Sequence, residues 1–277
     1  KSCLLLAGLN ARGRTTVIER GGPTRDHTER MLRWFGVAVE TRQEQDGDAL
    51  SDVLAVEGPA SLTARDLSIP GDISSAVFFI AAAALLPGSE LEIENVGLNP
   101  TRSQILHTLS QLRADVKVYA ERDDCNETVG TIRVRGGEGF PATGEGSYAN
   151  ILKGSLIPQL IDELPMLAVV GTQIRGGLTI RDAAELRVKE SDRIAAVVVN
   201  LRAMGAEVEE YEDGLTVGGP TRLRGAKLDA FGDHRIAMAF AIAALIAEGE
   251  SEIARAEECV GVSFPEFFRI LESVIER

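Results

Sequence analysis

The hydrophobic pattern of the chain repeats, and each copy alternates a helix, a strand, a second helix and a second strand. Three copies open on an aspartate followed by a helix that is apolar on nearly every side, and these helices are predicted over residues 76–86, from 166 onward and over 236–247. A helix that is apolar all round is buried in a core. The strands are predicted over residues 91–96, 115–119, 178–180, 207–211 and 251–254.

The copies also share one spacing. In each copy the second helix is amphipathic and is predicted to begin 30 residues after the opening aspartate. The pairs are Asp72 with Arg102, Asp162 with Asp192 and Asp233 with Ser263. The opening segment follows the same plan, with a helix over residues 4–9, a strand over 15–19, a helix through residue 35 and a strand over 37–40. The chain therefore holds nearly four copies of one unit.

Buried helices surrounded by short sheets predict a compact α/β lobe of repeated units. No glycine-rich nucleotide-binding fingerprint opens any copy, which argues against an open doubly wound sheet. Residues 64–72 contain Pro70-Gly71 and separate the first, partial copy from the later three. We therefore predict one domain over residues 1–68 and a second domain of three repeat units over residues 69–277. The polar residues 121–128 are predicted to be a loop inserted in the second copy.

Composition narrows the class of protein. The 277 residues are 44% hydrophobic, and the net charge of −13 argues against a general nucleic-acid binder, which needs a basic surface. Three cysteines, odd in number and far apart, predict neither a disulfide framework nor a zinc site and favour the cytoplasm. The longest apolar run is too short to span a bilayer, and no signal peptide is visible. The chain begins without methionine inside a helical pattern, so we expect a fragment of a longer protein.

Residues 187–193, Arg-Val-Lys-Glu-Ser-Asp-Arg, crowd charges of both signs immediately before an amphipathic helix. A helix N-terminus offers unpaired N–H groups and a partial positive charge, and both suit an anion. Lys189 and Arg193 would strengthen such a site for phosphate or carboxylate, and Glu190 would add a titratable acid. The alternative interpretation is a solvated helix start with local ion pairs.

If the copies are related by rotation, their helix starts converge at one end of the lobe. The polar residues expected there are Asp72, Arg102, Asp162, Lys189, Glu190, Arg193, Asp233, His234 and Arg235. Helix capping explains Asp72 and Asp233, since aspartate is favoured at that position, and Arg102 is expected to pair with an acid. His27 and His107 are expected at the surface.

Asp162 and Arg235 are the stronger functional candidates in this group. Asp162 precedes Glu163-Leu164-Pro165 and again suits a cap, but a carboxylate beside Lys189 and Arg193 would also stay ionised and accept a proton from a hydroxyl. The planar fork of Arg235 suits carboxylate or phosphate. No histidines, cysteines and carboxylates occur at metal-ligand spacing. The residues therefore predict proton transfer without a metal on a polyanionic substrate.

Five motifs, in order along the chain, carry a resemblance to a known family. They are Thr-Arg-Asp-His-Thr-Glu at 24–29, Asp-Glu-Leu-Pro at 162–165, Ala-Glu-Leu-Arg-Val-Lys-Glu-Ser-Asp-Arg at 184–193, Gly-Asp-His-Arg-Ile-Ala-Met at 232–238 and Ser-Phe-Pro-Glu at 263–266. Together they resemble the 5-enolpyruvylshikimate-3-phosphate synthases of the shikimate pathway of aromatic amino acid biosynthesis. The resemblance implies two lobes of three βαβαββ-type units each, with the active site between them.

The resemblance also implies a reaction and roles for its residues. The family transfers the enolpyruvyl group of phosphoenolpyruvate to the 5-hydroxyl of shikimate 3-phosphate by addition and elimination, and it needs no metal or other cofactor. By resemblance, Asp162 is the base toward the hydroxyl, and Glu190 moves the proton at the methylene carbon. Lys189 touches both substrates, Arg193 and Arg235 bind phosphoenolpyruvate, and Arg25 faces shikimate 3-phosphate.

The chain departs from the family pattern in ways that keep alternatives open. Family chains extend well upstream of Lys1, and the residues there supply about half of the substrate contacts, so we expect this chain to be inactive alone. That missing segment is a possible separate partner piece. Some members carry lysine where Val262 stands and asparagine where Glu185 stands. The alternatives are a transferase acting on a UDP-amino sugar, which the Lys-Glu-Ser-Asp-Arg block disfavours, and a non-catalytic fragment that binds an anion or a partner.

Overall fold

The computed structural model describes residues 1–20, 24–46, 49–137 and 150–275. The segment predicted as the first domain holds two helices against a three-stranded antiparallel sheet of order β1-β3-β2. Its elements are α1 (Ser2–Gly8), β1 (Gly13–Arg20), α2 (His27–Trp34), β2 (Glu40–Asp46) and β3 (Ala49–Gly58). Both predicted helices and the first predicted strand are confirmed, whereas β3 was not predicted.

The predicted strand over residues 37–40 is wrong, because the strand begins only at Glu40. Gly36 adopts a left-handed φ of 84°, and the Val37 amide donates to the Leu32 carbonyl, so these residues close the end of α2. Val37 and Val39 are buried in the small core of this domain. Their apolar side chains therefore belong to a helix end and its connection.

The first repeat of the predicted second domain begins with the predicted order of helix, strand, helix and strand, and a further strand, Glu127–Arg135, follows. It consists of α3 (Ile73–Leu85), β4 (Glu90–Gly97), α4 (Gln104–Gln111), β5 (Asp115–Asp124) and β6 (Glu127–Arg135), with the sheet order β4-β6-β5. The carboxylate of Asp72 caps α3 by accepting from the Ser74 amide at 3.2 Å, as predicted.

The inserted loop predicted over residues 121–128 is wrong. Those residues form the end of a β5–β6 hairpin, in which Arg122 pairs with Val129 and Asp124 with Glu127. Cys125 and Asn126 make the turn with φ values of 55° and 66°, as a two-residue hairpin turn requires. Residues 121–128 have no alternating apolar face, and their polar composition therefore resembled that of a loop.

The second and third repeats complete the domain. The second contains β7 (Ile151–Leu152), α5 (Ile157–Leu160), α6 (Leu164–Gly171), β8 (Leu178–Ile180), α7 (Arg193–Ala203), β9 (Val208–Tyr211) and β10 (Gly214–Val217), with sheet order β7-β8-β10-β9. The third contains β11 (Lys227–Asp229), α8 (His234–Leu245), β12 (Glu252–Ala254), α9 (Ala256–Ser263) and α10 (Phe267–Val274). The strands β11 and β12 are parallel.

The constant 30-residue step fails in the third repeat. Asp192 caps α7 as the spacing predicts, but Ser263 is the last residue of α9, a helix that the sequence pattern did not reveal. Arg255 adopts a left-handed φ of 60° directly after β12, and α9 starts at the next residue. The final helix that was predicted after residues 263–266 is α10, and α9 is an additional helix before it.

The buried first helices are confirmed, since α3, α6 and α8 pack against one another inside one continuous core. That core takes its residues from position 73 to position 271, and a separate small core takes its residues from positions 5 to 56. The two cores lie on opposite sides of the boundary between residues 68 and 69, which itself stays a prediction. The packing brings the starts of α6, α7 and α8 together.

Candidate active site

Asp162 lies at the centre of a cluster of cations. Its carboxylate is 2.5 Å from Arg25, 3.5 Å from Arg193 and 3.7 Å from Arg235. Arg235 also donates to the Asp162 backbone carbonyl at 3.1 Å. Asp162 does not cap α6, because the capping position is Glu163. Its carboxylate therefore faces side-chain cations from three separate parts of the chain.

The surrounding cations decide the ionisation of Asp162. Burial by itself raises the pKa of this carboxyl, but Arg235, Arg25 and Lys189 more than offset that effect and lower its pKa to about 2. Asp162 is therefore ionised throughout the neutral range. Its side chain is 14% exposed, so the charge keeps some access to solvent.

Arg193, at the start of α7, is an almost wholly buried cation. Its side chain is 1% exposed, and its Nε donates to Asp233 Oδ2 at 2.7 Å. Its Nη2 donates to Glu190 Oε2 at 2.5 Å, whereas its buried Nη1 has no hydrogen-bond partner. That nitrogen is the one nearest Asp162. The one guanidinium nitrogen of Arg193 without a hydrogen-bond partner among the described residues therefore lies on the side of Asp162.

The Asp233 carboxylate makes two kinds of contact, and the sequence predicted one of them. It caps α8 by accepting from the Arg235 amide at 2.9 Å, as predicted. It also accepts from Arg193 and, at 3.1 Å, from the Ser191 hydroxyl. Burial raises the pKa of the Asp233 carboxyl, and the bonds and charge of Arg193 bring it below its usual range. The helix start predicted the cap, but no local pattern links residue 193 to residue 233.

Lys189 and Glu190 follow a 3₁₀ turn at Ala184–Val188 and precede α7. The Lys189 ammonium lies 2.6 Å from Glu185 and close enough to Asp162 to lower the pKa of that carboxyl. Glu190 is 51% exposed while bonded to Arg193. The structure thus brings together all six candidates from the sequence, namely Arg25, Asp162, Lys189, Glu190, Arg193 and Arg235.

A second polar cluster beside Asp162 was not anticipated as a unit. Arg102 pairs with Asp72 at 3.4 Å, as expected, but it also donates to Ser74 Oγ at 2.5 Å. The Ser74 hydroxyl in turn donates to the buried carboxyl of Glu163, whose pKa is raised by burial. The sequence feature that could have indicated this cluster is the pair of adjacent acids Asp162 and Glu163. Asp162 contacts the cations, whereas Glu163 is buried and bonds to Ser74.

Contacts between the two domains bring Arg25 to this site. Asn99, which is buried, donates to Asp26 at 2.6 Å and to Glu127 at 3.0 Å. His27 lies 2.6 Å from Glu127 and remains exposed, as predicted for this residue and for His107. Residues next to Arg25 are therefore anchored on the second domain, and Arg25 can reach Asp162.

The pKa of Asp162 predicts an acid-dependent loss of stability. Because its pKa is lowered from 3.8 to about 2 in the folded chain, the ion pairs contribute fully above about pH 4 and are lost as the pH falls to about 2. Thermal melts of the native chain and of Asp162→Asn should therefore differ most at neutral pH and converge between pH 4 and pH 2. A constant difference across that window would contradict the assignment.

Other sequence expectations concern cofactors, cysteines and membranes. Within the described ranges, no group of three or more histidine, cysteine, aspartate or glutamate side chains could hold a metal ion. Cys3, Cys125 and Cys259, all within the described part of the chain, form no disulfide. No helix among the described residues is long and apolar enough to cross a bilayer. Val262, where some family members carry lysine, is 87% exposed.

Comparison with known proteins identifies the family. The family model of EPSP synthase (3-phosphoshikimate 1-carboxyvinyltransferase) matches residues 1–271. Relatives named 3-phosphoshikimate 1-carboxyvinyltransferase from Koribacter versatilis and Alkaliphilus oremlandii are 50% and 47% identical over 277 and 274 residues, which is 100% and 99% of this chain. The chain spans only 61% and 60% of those relatives.

Solved structures agree with this assignment. An EPSP synthase from Acinetobacter baumannii superposes with a TM-score of 0.82 at 35% identity, covering 98% of this chain and 58% of that one. The enolpyruvyl transferase NikO from Streptomyces tendae has a TM-score of 0.66 at 22% identity, which shows a shared fold. The predicted enolpyruvyl transferase-like α/β fold is thereby confirmed. From its sequence match, its fold and its motifs, this chain belongs to the EPSP synthase family.

Proposed function

We propose that this chain forms one wall of the active site of a 3-phosphoshikimate 1-carboxyvinyltransferase. The complete protein would transfer the enolpyruvyl group of phosphoenolpyruvate to the 5-hydroxyl of shikimate 3-phosphate and release phosphate, in aromatic amino acid biosynthesis. The observation that carries the proposal is the ionised Asp162 within reach of Arg25, Arg193 and Arg235. Cations that hold two anionic substrates around a carboxylate are what this reaction needs.

Each proton in the proposed reaction has a carrier in the cluster. Asp162 accepts the proton of the 5-hydroxyl as its oxygen bonds to the central carbon of phosphoenolpyruvate. Protonated Glu190 delivers a proton to the methylene carbon, which becomes a methyl group, and takes a proton back from it when phosphate leaves. The departing phosphate takes up the proton that Asp162 accepted. Glu190 suits this exchange because it is half exposed yet bonded to Arg193, which we propose binds phosphoenolpyruvate.

The pairing of Arg25 with Asp162 has a consequence for the base. A carboxylate with a pKa of about 2 is a weak acceptor of a hydroxyl proton. When the phosphate of a substrate binds Arg25, it draws that cation away and adds negative charge nearby. Both changes raise the pKa of Asp162, so substrate binding itself would prepare the base.

Several finer parts of this proposal rest on the relatives. We propose that the residues which this chain lacks relative to them precede Lys1 and supply the remaining substrate contacts, either in the same polypeptide or as a separate piece. The three unpaired cysteines and the two proposed substrates, which are metabolites, favour a cytoplasmic location for the protein.

The proposal is tested by measuring phosphate release with both substrates present. The 277-residue chain alone is expected to stay near background, since it spans about 60% of its relatives. A chimera that joins it to the additional residues of the Koribacter versatilis relative should turn over. A chimera that is folded but silent, while that relative is active, would contradict the proposed function. Rapid turnover by the chain alone would contradict the proposed need for the additional residues.

A further inference from the structure

The segment that carries Lys189 and Glu190 has little packing to fix its position. Leu186 and Ala183 are buried upstream of it, but Val188, directly before Lys189, is 80% exposed. Lys189 itself is in an extended conformation outside any helix or strand. Hydrophobic burial therefore does not extend to Lys189 and Glu190, whose geometry matters for anion binding and proton transfer.

Arg187 supplies a polar anchor for this segment, in addition to the bonds of Glu190 with Arg193 and of Ser191 with Asp233. Its Nη1 lies 2.9 Å from Asp192 Oδ2 and 2.9 Å from Glu210 Oε1. Its Nε donates to the Glu212 carbonyl at 2.9 Å, and its Nη2 donates to the Tyr211 carbonyl at 2.5 Å. All three guanidinium nitrogens are thus used, and these charge-assisted bonds tie the segment to the turn between β9 and β10.

The bond between Arg187 and Asp192 closes a loop around the candidate catalytic residues. Arg187 lies two residues before Lys189, and Asp192 lies two residues after Glu190. Asp192 also caps α7 by accepting from the Ala195 amide at 3.0 Å. One ion pair therefore closes the base of the loop 188–191 and joins it to the start of α7, where Arg193 is buried.

We propose that Arg187 is a positioning residue for Lys189 and Glu190. Among the described contacts, Arg187 makes no hydrogen bond or ion pair with Asp162. Its partners are Asp192 and the residues at the β9–β10 turn. It thus acts on the reaction through the loop whose base it closes. This inference rests on the proposed function for its consequence in binding, and on the geometry alone for its consequence in the loop.

Arg181 provides a matched control on the same turn. Its Nε donates to Asp213 at 3.0 Å, and its guanidinium lies 4.3 Å from the centre of the Tyr211 ring. Its bonds hold the upstream end of the segment, where the Ala183 amide also donates to the Asp213 carbonyl at 2.7 Å. They do not span Lys189 and Glu190, so Arg181→Gln removes an equivalent surface arginine without opening the loop.

The first measurement needs no ligand. Backbone ¹⁵N order parameters of residues 188–192 should be about 0.85 in the native chain and in Arg181→Gln, and below about 0.6 in Arg187→Gln. Arg187→Lys should give intermediate values, because an ammonium keeps the charge but cannot reach both carbonyls and both carboxylates together. Unchanged order parameters in Arg187→Gln, or an equal loss throughout the chain, would overturn the inference.

The second measurement follows binding of phosphoenolpyruvate to the same chains by chemical shift. Arg187→Gln should weaken binding about tenfold relative to the native chain, and Arg181→Gln less than about twofold, with melting temperatures of the two variants within about 3 °C. Equal weakening in both variants would overturn the inference. If the native chain does not bind phosphoenolpyruvate, the proposed function loses support, and the order parameters alone decide the role of Arg187.

Discussion

Replacing Asp233 with alanine is expected to lower the free energy of unfolding by about 3–5 kcal/mol, because it would leave the buried Nε of Arg193 without its partner. The side chains of Asp233 and Arg193 are 0% and 1% exposed, and they are 2.7 Å apart. The same change removes the cap of α8, worth about 1 kcal/mol. Urea unfolding of the native chain and of Asp233→Ala measures the difference.

Asp72 separates the two contributions, because it is the aspartate in the equivalent position of the first repeat. It caps α3 in the same way, but its side chain is 55% exposed and its partner Arg102 lies 3.4 Å away. Asp72→Ala should therefore cost about 1–2 kcal/mol. Adding Arg193→Met to Asp233→Ala should restore part of the lost stability, since it removes the buried guanidinium whose Nε has lost its partner. Equal losses from Asp72→Ala and Asp233→Ala would show that the buried ion pair contributes nothing beyond the cap.

Replacing Glu190 with glutamine in the active chimera should lower turnover by about 10²–10⁴-fold, because an amide cannot carry a proton to and from the methylene carbon. The stability of the protein should change by less than about 1 kcal/mol, since Glu190 is half exposed. The measurement is phosphate release at saturating substrates, together with a thermal melt of each protein. A loss of turnover without a loss of stability separates chemistry from folding.

Glu266 offers a matched control for this change. It pairs with Arg269 at the same sequence spacing and the same distance, 2.5 Å, as Glu190 with Arg193. Glu266 and Arg269 are both exposed. Glu266→Gln should leave turnover within about twofold of the unaltered chimera. Unchanged turnover in Glu190→Gln would remove Glu190 from the proposed proton transfer, whatever the control shows.

Local sequence patterns predicted much of the fold because helix capping and helix burial depend on residues that are close together in the chain. An aspartate before an apolar run predicted the caps of α3 and α8, and the apolar character of α3, α6 and α8 predicted their burial. Two of the misses share one cause, which is that nonlocal pairing overrode the local pattern. The β5–β6 hairpin was polar enough to resemble a loop, and β3 depends on two partner strands for its hydrogen bonds.

The sequence by itself determined which residues are candidates for the site and which family they point to, because motifs at helix starts are local and the family match depends only on residue order. It could not determine the contacts among those residues. Arg25 meets Asp162 only because two domains pack together, and Arg193 meets Asp233 only because α7 and α8 begin side by side. Charges act through distance in space, and that distance exists only after the helices have packed. The tertiary structure alone therefore decided that Asp162 pairs with Arg25, that Arg193 is buried and that Arg187 bonds to the β9–β10 turn.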